Sequence, residues 1–468
     1  MIDLTCDVAI VGAGTAGLAA ERAARRHGAK TLLVDPRFAG TTCATVGCMP
    51  SKLLIAAADA AHAVRRAGIF GIEVPAPVVD GAAVMARVCR ERDAFVAGAK
   101  KIIAALPDGI RITSRARFVD PTTLLLDDGR RVHARAVVLA TGAVNTLPAA
   151  FAGVRDRVLT NESIFDLATL PRSIGVVGGG PVGLELAQAL ARLGVDTHLL
   201  EQGHTLAALR DPTIAASLRA ILAREFPITL GVEVSAAPDG DGVRLSWKGD
   251  QSGARRFDRV LVAAGRPPDL EGLDLARSGL TLDARGTPRF DRQTLRCGRS
   301  SIFVAGDADH DHAVLHEAAS EGAIAGRNAA SFPEITPSVR SVPLAIVFTD
   351  PPVAVIGSVP QEDEPHVLGV ASYEDQGRAK VFARNVGLAH LYADRASGRL
   401  LGATMTGPGV EHSAHLVAWA IQNELTATQM LDRPFYHPTY EEGLKPALRA
   451  ICHEVNAPER DDGFVAGA

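Results

Sequence analysis

The feature that most constrains this chain is a repeated one: a short apolar strand, a Gly-x-Gly-x-x-Gly turn, a helix, a second strand, and an acid where that strand ends. In the first copy residues 8–11 form the strand, Gly12, Gly14 and Gly17 mark the turn, residues 18–27 read as helix, and residues 31–34 lead to Asp35. In the second copy residues 174–177 precede Gly178, Gly180 and Gly183, residues 184–193 read as helix, and residues 197–200 lead to Glu201. Each glycine has its own physical task. The first permits a tight turn, the second lets the backbone approach a pyrophosphate, and the third lets helix and strand pack closely; the acid accepts hydrogen bonds from a ribose. Gly12 to Asp35 and Gly178 to Glu201 are both 23 residues, which chance explains poorly. The chain therefore reads as an internal duplication of a dinucleotide-binding unit, with two nucleotide sites of which only one needs to exchange its coenzyme.

Between the copies lies Gly40-Thr41-Thr42-Cys43-Ala44-Thr45-Val46-Gly47-Cys48-Met49-Pro50-Ser51-Lys52. Two cysteines five positions apart, on a glycine-bounded turn running into a helix, can close a small loop without straining a disulfide. Pro50 suits a first helical position and residues 53–66 are apolar and Ala-rich, so Cys48 is expected beside a helix N-terminus. The positive end of that helix, with Lys52 one turn in, favours a thiolate there. A reversible disulfide is the first reading; two reduced, buried cysteines or half of a metal site are the alternatives. No second Cys/His pair at ligand spacing supports a metal. The remaining cysteines, Cys6, Cys89, Cys297 and Cys452, are scattered singly, as in a cytosolic protein rather than a secreted disulfide framework.

A length of 468 residues suggests about three domains. With 49 Lys and Arg against 53 Asp and Glu and no long basic block, neither nucleic acid nor an anionic membrane surface is an expected partner. No uncharged apolar run approaches the ~18 residues that span a bilayer, and the start, Met1-Ile2-Asp3-Leu4, does not read as a leader. A cytoplasmic, soluble protein is expected. Each nucleotide unit closes with a similar strand and small-residue turn, residues 136–140 before Thr141-Gly142 and residues 259–263 before Ala264-Gly265. Periodicity breaks between Ala149 and Pro171 and near Pro267-Pro268, where domain crossings are placed. A strand over 301–305 delivers Gly306-Asp307 to a strand end ahead of a helix over 313–329; taken alone, the acid reads as a helix cap. From Val342 onward, alternating segments (345–348, 353–356, 388–393, 400–405) and two late helices (411–423, 441–450) describe a separate α+β domain without a nucleotide fingerprint. The end, residues 456–468, is expected to be mobile.

Together these residues resemble the pyridine nucleotide-disulfide oxidoreductases, the flavoprotein family of dihydrolipoamide dehydrogenase, glutathione reductase and mercuric reductase. The resemblance covers nearly the whole chain, and its most specific element is C-x4-C-x-P-S-K, residues 43–52. It implies an α/β fold of two Rossmann-like domains, FAD-binding over 1–148 and 273–340 and NAD-binding over 149–272, with a C-terminal α+β domain over 341–468 that builds a homodimer. It implies FAD on Gly12, Gly14 and Gly17, with Asp35, Thr42, Lys52, Ala116, Thr141, Gly142, Asp307 and Leu315 around it. It implies NAD on Gly178, Gly180 and Gly183, with Glu201, Val234 and Gly265. Cys48 would lie next to the flavin and Cys43 would exchange with substrate; Lys52 would pair with Glu185. His437, in His-Pro-Thr-x-x-Glu, would be the acid/base against the partner subunit's disulfide, oriented by Glu442. The activity implied is oxidation of a dihydrolipoyl dithiol by NAD, with membership of a 2-oxo acid dehydrogenase complex possible. A disulfide or metal-ion reductase of the same family, or a non-catalytic FAD and NADH redox sensor, are the alternatives. Thr41, Pro181, His412 and Phe435 depart from the family's usual residues.

Overall fold

The computed structural model describes residues 3–361 and 364–457, so Met1, Ile2 and nearly all of the tail expected to be mobile lie outside the described residues. Three sheets and one small meander carry the architecture. In the first sheet, Leu4–Val11 runs parallel between Thr31–Asp35 and Arg131–Leu139, and Ile302–Val304 pairs with the end of Arg131–Leu139. Val8, Ala9 and Ile10 are wholly buried, as a parallel strand covered on both faces requires. The covering helices Thr15–Arg26 and Leu315–Ser331 meet backbone to backbone. A Cβ on Gly322 or Gly326 would lie 2.1 or 2.2 Å from the carbonyl oxygens of Ala16 and Ala20.

The second sheet repeats this plan in five parallel strands, ordered Ile228–Thr229, Asp196–Leu200, Ser173–Val177, Arg259–Val262 and Val158–Leu159. The duplication holds at the level of single bonds. Gly12 N–H donates to the Val34 carbonyl at 2.8 Å, and Gly178 N–H donates to Leu200 at 2.9 Å. Both fingerprint helices start three residues earlier than expected, at Thr15 and Pro181, because Gly14 and Gly180 are themselves the N-caps. The last three residues of each fingerprint are thus the first helical turn.

Several β features escaped the sequence reading, among them Arg111–Thr113, Ala116–Asp120 and Thr123–Leu126 in the first sheet. Val232–Asp239, Gly242–Gly249 and Gly253–Phe257 form an antiparallel meander on the second nucleotide domain. His366–Ser372 is the edge strand of the C-terminal sheet, whose order is Leu344–Val347, Val353–Gly357, Leu400–Thr406, Leu388–Asp394, His366–Ser372. Gly369 interrupts its alternation for a packing reason: a Cβ there would lie 2.1 Å from the Ala447 carbonyl oxygen. The last expected helix divides into a 3₁₀ turn, Glu441–Leu444, and an α-helix, Lys445–Glu454, with a proline in its first turn.

Buried polar side chains join these bodies. Arg192, 4% exposed, reaches Glu225 at 2.7 Å, Asp59 at 2.9 Å and Asp350 at 3.0 Å, tying the cysteine-bearing helix to both other domains. Asp211 caps Pro212–Leu222 through one carboxylate oxygen and takes His390 Nδ1 and the Tyr392 hydroxyl on the other, each at 2.5 Å. No described helix is long and apolar enough to cross a membrane.

Candidate active site: a cysteine pair at a helix N-terminus

The helix that carries the site begins at Cys48 itself and runs to Arg66, so Pro50 is its third residue rather than its first. Gly47 precedes it because a Cβ there would sit 2.9 Å from the Thr42 carbonyl. Cys43 lies not on an open turn but on a one-turn helix, Thr42–Thr45, capped by the Thr41 side chain, which accepts from Ala44 N–H at 3.4 Å. That accounts for threonine at a place where the family usually has glycine. Thr41 has φ −92°, which any residue adopts, and its hydroxyl holds the turn; the positive φ falls on Gly40 at +109°.

Both cysteines are free thiols here, so the structure corresponds to the dithiol form of the pair. They share a hydrogen bond with unequal consequences. The Cys43 thiol donates, which holds the Cys48 sulfur down at about 6, with Lys52 and the Cys48 backbone amide adding to the effect against burial. The same bond and burial push Cys43 up. The expected thiolate position is Cys48, but its largest cause is the neighbouring thiol, ahead of the lysine and the helix end.

Lys52, one turn along, meets acid and aromatic together. Its ammonium is 2.7 Å from Glu185 Oε2 and 4.4 Å from the centroid of the Phe348 ring. Glu185 is 6% exposed, and its other oxygen accepts the Phe348 N–H at 3.0 Å. A buried carboxylate inside an apolar helix is thereby satisfied from both neighbouring domains. Asn161 pins the loop between the cysteines by donating to the Val46 carbonyl at 2.9 Å.

One cavity of about 570 Å³ gathers much of what the sequence singled out. Gly14, Thr42, Cys43, Cys48, Lys52, Gly142, Glu185, Asp307 and Leu315 line it, as does Pro181 at the N-terminus of the second fingerprint helix. The two nucleotide units thus face one chamber. Asp307 is not a helix cap: Leu315–Ser331 begins after Val314 with no side-chain cap, and Asp307 is 3.4 Å from Arg266. Arg266, Phe348 and Asn161 are site residues the sequence reading missed, as is Glu321. Glu321 is fully buried, accepts Gly306 N–H at 2.8 Å and pairs with Arg340 at 2.5 Å, fixing the turn that presents Asp307. Beside it, burial pushes Asp309 up to about 8. Only tertiary contact marks these residues; none stands in a readable motif.

The other predicted residues lie outside that cavity. Asp35 accepts Ala13 N–H at 2.9 Å, Arg37 N–H at 2.9 Å and Phe38 N–H at 2.7 Å. Ala116 starts a strand two residues beyond Ser114, whose N–H donates to the Asp35 carbonyl at 3.2 Å. Glu201 accepts Gly179 N–H, and Gly203 N–H at 2.5 Å. Val234 lies on the meander against the Phe257 cluster, and Gly265 holds a turn at φ +117°. His437 Nδ1 is 3.1 Å from each Glu442 oxygen; the imidazole is 58% exposed and the carboxylate 9%. Within one chain this pair does not line the cysteine cavity.

The residues fit a flavin dinucleotide. A Cβ at Gly14 would meet nothing within 4 Å, the helix behind it has neither a side-chain cap nor an acid in its first turn, and the Thr141 hydroxyl is buried without a hydrogen-bond partner. Gly180 has the same open approach in the second unit. No group of three or more potential metal ligands occurs among the described residues.

The comparisons with known proteins agree with this arrangement. Residues 6–322 match the model of the pyridine nucleotide-disulphide oxidoreductases, and residues 343–448 match the dimerisation domain of that family. The chain belongs to the pyridine nucleotide-disulphide oxidoreductases, whose members contain FAD and depend on NAD(P). Among its relatives, a dihydrolipoyl dehydrogenase of Chlamydia muridarum is 30% identical over 469 residues, covering 97% of this chain and 98% of that protein. A mercuric reductase of Acidithiobacillus ferrooxidans is 32% identical over 473 residues, covering 96% and 83%. In fold, the chain is similar to LpdA of Mycobacterium tuberculosis, with TM-score 0.81, 24% identity and coverage of 95% and 99%.

Proposed function

We propose that this chain is a dihydrolipoyl dehydrogenase-like enzyme, a homodimer that oxidises a dithiol with NAD through the Cys43–Cys48 pair. The observation that carries the reading is the unequal placement of the two sulfurs: Cys48 opens the helix at its N-terminus with Lys52 one turn in, which favours its thiolate, whereas Cys43 lies on the separate turn before it and donates to Cys48. That is the division of labour a dithiol–disulfide exchange requires. From the oxidised pair, a substrate thiolate attacks the Cys43 sulfur, the Cys43–Cys48 bond breaks, and Cys48 leaves as the stabilised thiolate. The second substrate sulfur then displaces Cys43, closing the substrate disulfide and leaving two electrons on the cysteine pair. His437, set by Glu442 and supplied across the dimer, takes the proton from the attacking thiol and returns it to Cys43. A bound FAD would supply the two-electron carrier between the cysteine pair and the nicotinamide coenzyme. Gly12, Gly14, Gly17 and Asp35 would hold the flavin dinucleotide; Gly178, Gly180, Gly183 and Glu201 would hold NAD.

The dehydrogenase direction is favoured by Glu201, a carboxylate that accepts hydrogen bonds from ribose hydroxyls and opposes a 2′-phosphate. Cys452 also speaks against a metal-ion reductase, because it is wholly buried beside Thr428. The test is spectroscopic. Anaerobic NADH should reduce the holoenzyme to a form with a long-wavelength thiolate–flavin band, absent in Cys48→Ser and retained in Cys43→Ser without dithiol turnover. Because the Cys48 pKa is lowered, the band should persist at neutral pH and fade as pH falls through about 6. Identical spectra for the two variants, or no band at all, would refute the assignment and favour a redox sensor. Robust NADPH-driven disulfide reduction with negligible dithiol oxidation would favour the reductase reading.

A further inference from the structure

Glu201 is the acid that the sequence offers to the second coenzyme, but the fold brings another to the same place. Three segments meet there through their backbones. Gly231 N–H donates to the Gly203 carbonyl at 3.0 Å, Val232 N–H to the Glu201 carbonyl at 3.1 Å, and Asp250 N–H to the Gly231 carbonyl at 3.1 Å. Asp250 follows the central strand of the meander and lies 46 residues from His204, yet its carboxylate is 3.3 Å from His204 Nδ1. Gly231 lies against both side chains. A Cβ on Gly231, which has φ +68°, would lie 2.5 Å from Asp250 Oδ2 and 2.8 Å from the His204 ring. His204 itself is on the loop whose Gly203 N–H holds the Glu201 carboxylate.

We propose that Asp250 is a second specificity determinant for the coenzyme, a carboxylate that makes the ribose end of this site doubly acidic and disfavours a 2′-phosphate. The inference rests on the reading of Glu201 given above. His204 is the one imidazole on the loop after Glu201, and a base at such a place could serve a 2′-phosphate; Asp250 takes its ring nitrogen instead. Lys248, the nearest cation along the same strand, pairs in register with Glu233 on the exposed face of the meander. The two carboxylates therefore act together, Glu201 by accepting ribose hydroxyls and Asp250 by its charge and its hold on His204. Because the Asp250 and His204 side chains are 64% and 75% exposed, solvent screens the effect to a modest size.

The test uses the holoenzyme and two probes that need no turnover, ADP-ribose and 2′-phospho-ADP-ribose, titrated calorimetrically at low and high salt. Wild type should bind ADP-ribose the more tightly. Asp250→Asn should tighten 2′-phospho-ADP-ribose by about 3- to 10-fold and leave ADP-ribose within about 2-fold, with the gain shrinking at high salt. Adding His204→Ala to Asp250→Asn should cancel part of that gain. An unchanged ratio in Asp250→Asn, in a chain that otherwise prefers ADP-ribose, overturns this inference alone. A wild type that binds both probes equally overturns the reading of Glu201 and this inference with it.

Discussion

The two nucleotide units are built alike and finished differently. In the first, Asp35 closes on Ala13 N–H; in the second, Glu201 closes on the N–H of Gly179, the residue at the same place in the fingerprint. The side chains are complementary across the pair. A Cβ on Gly179 would stand 3.2 Å from Glu201 Cγ and 3.0 Å from a Leu206 methyl, so the longer acid fills the room that the Ala13 methyl occupies beside the shorter one. The surroundings diverge further. The first fingerprint opens on a chamber walled by the cysteine helix, the Asp307 turn and the Leu344–Val347 strand of the C-terminal domain. The second sends one face of its helix, Pro181, Val182, Glu185 and Leu186, into that chamber, and carries its acid out to a partly exposed loop. On the proposed reading, the same unit would serve a retained dinucleotide where other domains cover it and an exchanging one where they do not.

That contrast can be broken most severely at the third glycines. A Cβ on Gly17 would lie 1.8 Å from the Gly12 carbonyl oxygen, and one on Gly183 would lie 1.9 Å from that of Gly178. Gly17→Val is expected to yield protein without flavin and without any activity. Gly183→Val should retain flavin absorbance and lose NADH-driven reduction by on the order of 10²-fold or more, because the damage is confined to the exchanging site. Flavin loss from both variants would mean that the units are not separable.

A lesion in neither unit supplies the control. His437→Ala should keep flavin and NADH reduction of an artificial one-electron acceptor, while dithiol oxidation falls by on the order of 10²-fold. Unchanged dithiol turnover would make the His437–Glu442 pair structural.

At the acid, Glu201→Gln should erode an NAD preference that we expect to be about 10²-fold in kcat/KM, roughly 2.7 kcal/mol. Steady-state rates with NADH and NADPH measure it, and a preference that survives intact would move the discrimination elsewhere. The smallest change is the most diagnostic of the pairing between acid and neighbour. Gly179→Ala should raise KM for NADH about 3- to 10-fold, and Gly179→Ala with Glu201→Asp, which copies the first unit, should recover most of it. Strict additivity of the two changes would show that the acid and its neighbour do not share the space.

The sequence showed the duplication because the features that define it are local. Glycine spacing, strand length and a terminal acid all fall within about thirty residues, and backbone sterics make the first glycine obligatory, since a Cβ on Gly12 would lie 2.2 Å from the Ala140 carbonyl oxygen. It also marked Cys43, Cys48 and Lys52, which one loop and one helix place together. The helix start was read two residues late because proline's preference for a first turn does not say which residue of that turn it takes. His366–Ser372 was missed because Gly369, needed for close packing against Ala447, interrupts its alternation.

What only the tertiary structure decided is how distant charges are matched. Glu185 was read as a partner for Lys52 by resemblance; that Phe348 serves both of them follows from where a third domain's strand ends. The unequal sulfurs depend on a hydrogen bond between side chains, and Asp307 meets Arg266 rather than a helix end. The Asp250–His204 contact joins a meander to a loop with no common motif. Local rules specify backbone, since each turn must satisfy its own sterics and hydrogen bonds wherever it stands. Electrostatic partnership depends on distance through space, and a linear chain does not hold that distance until it is folded.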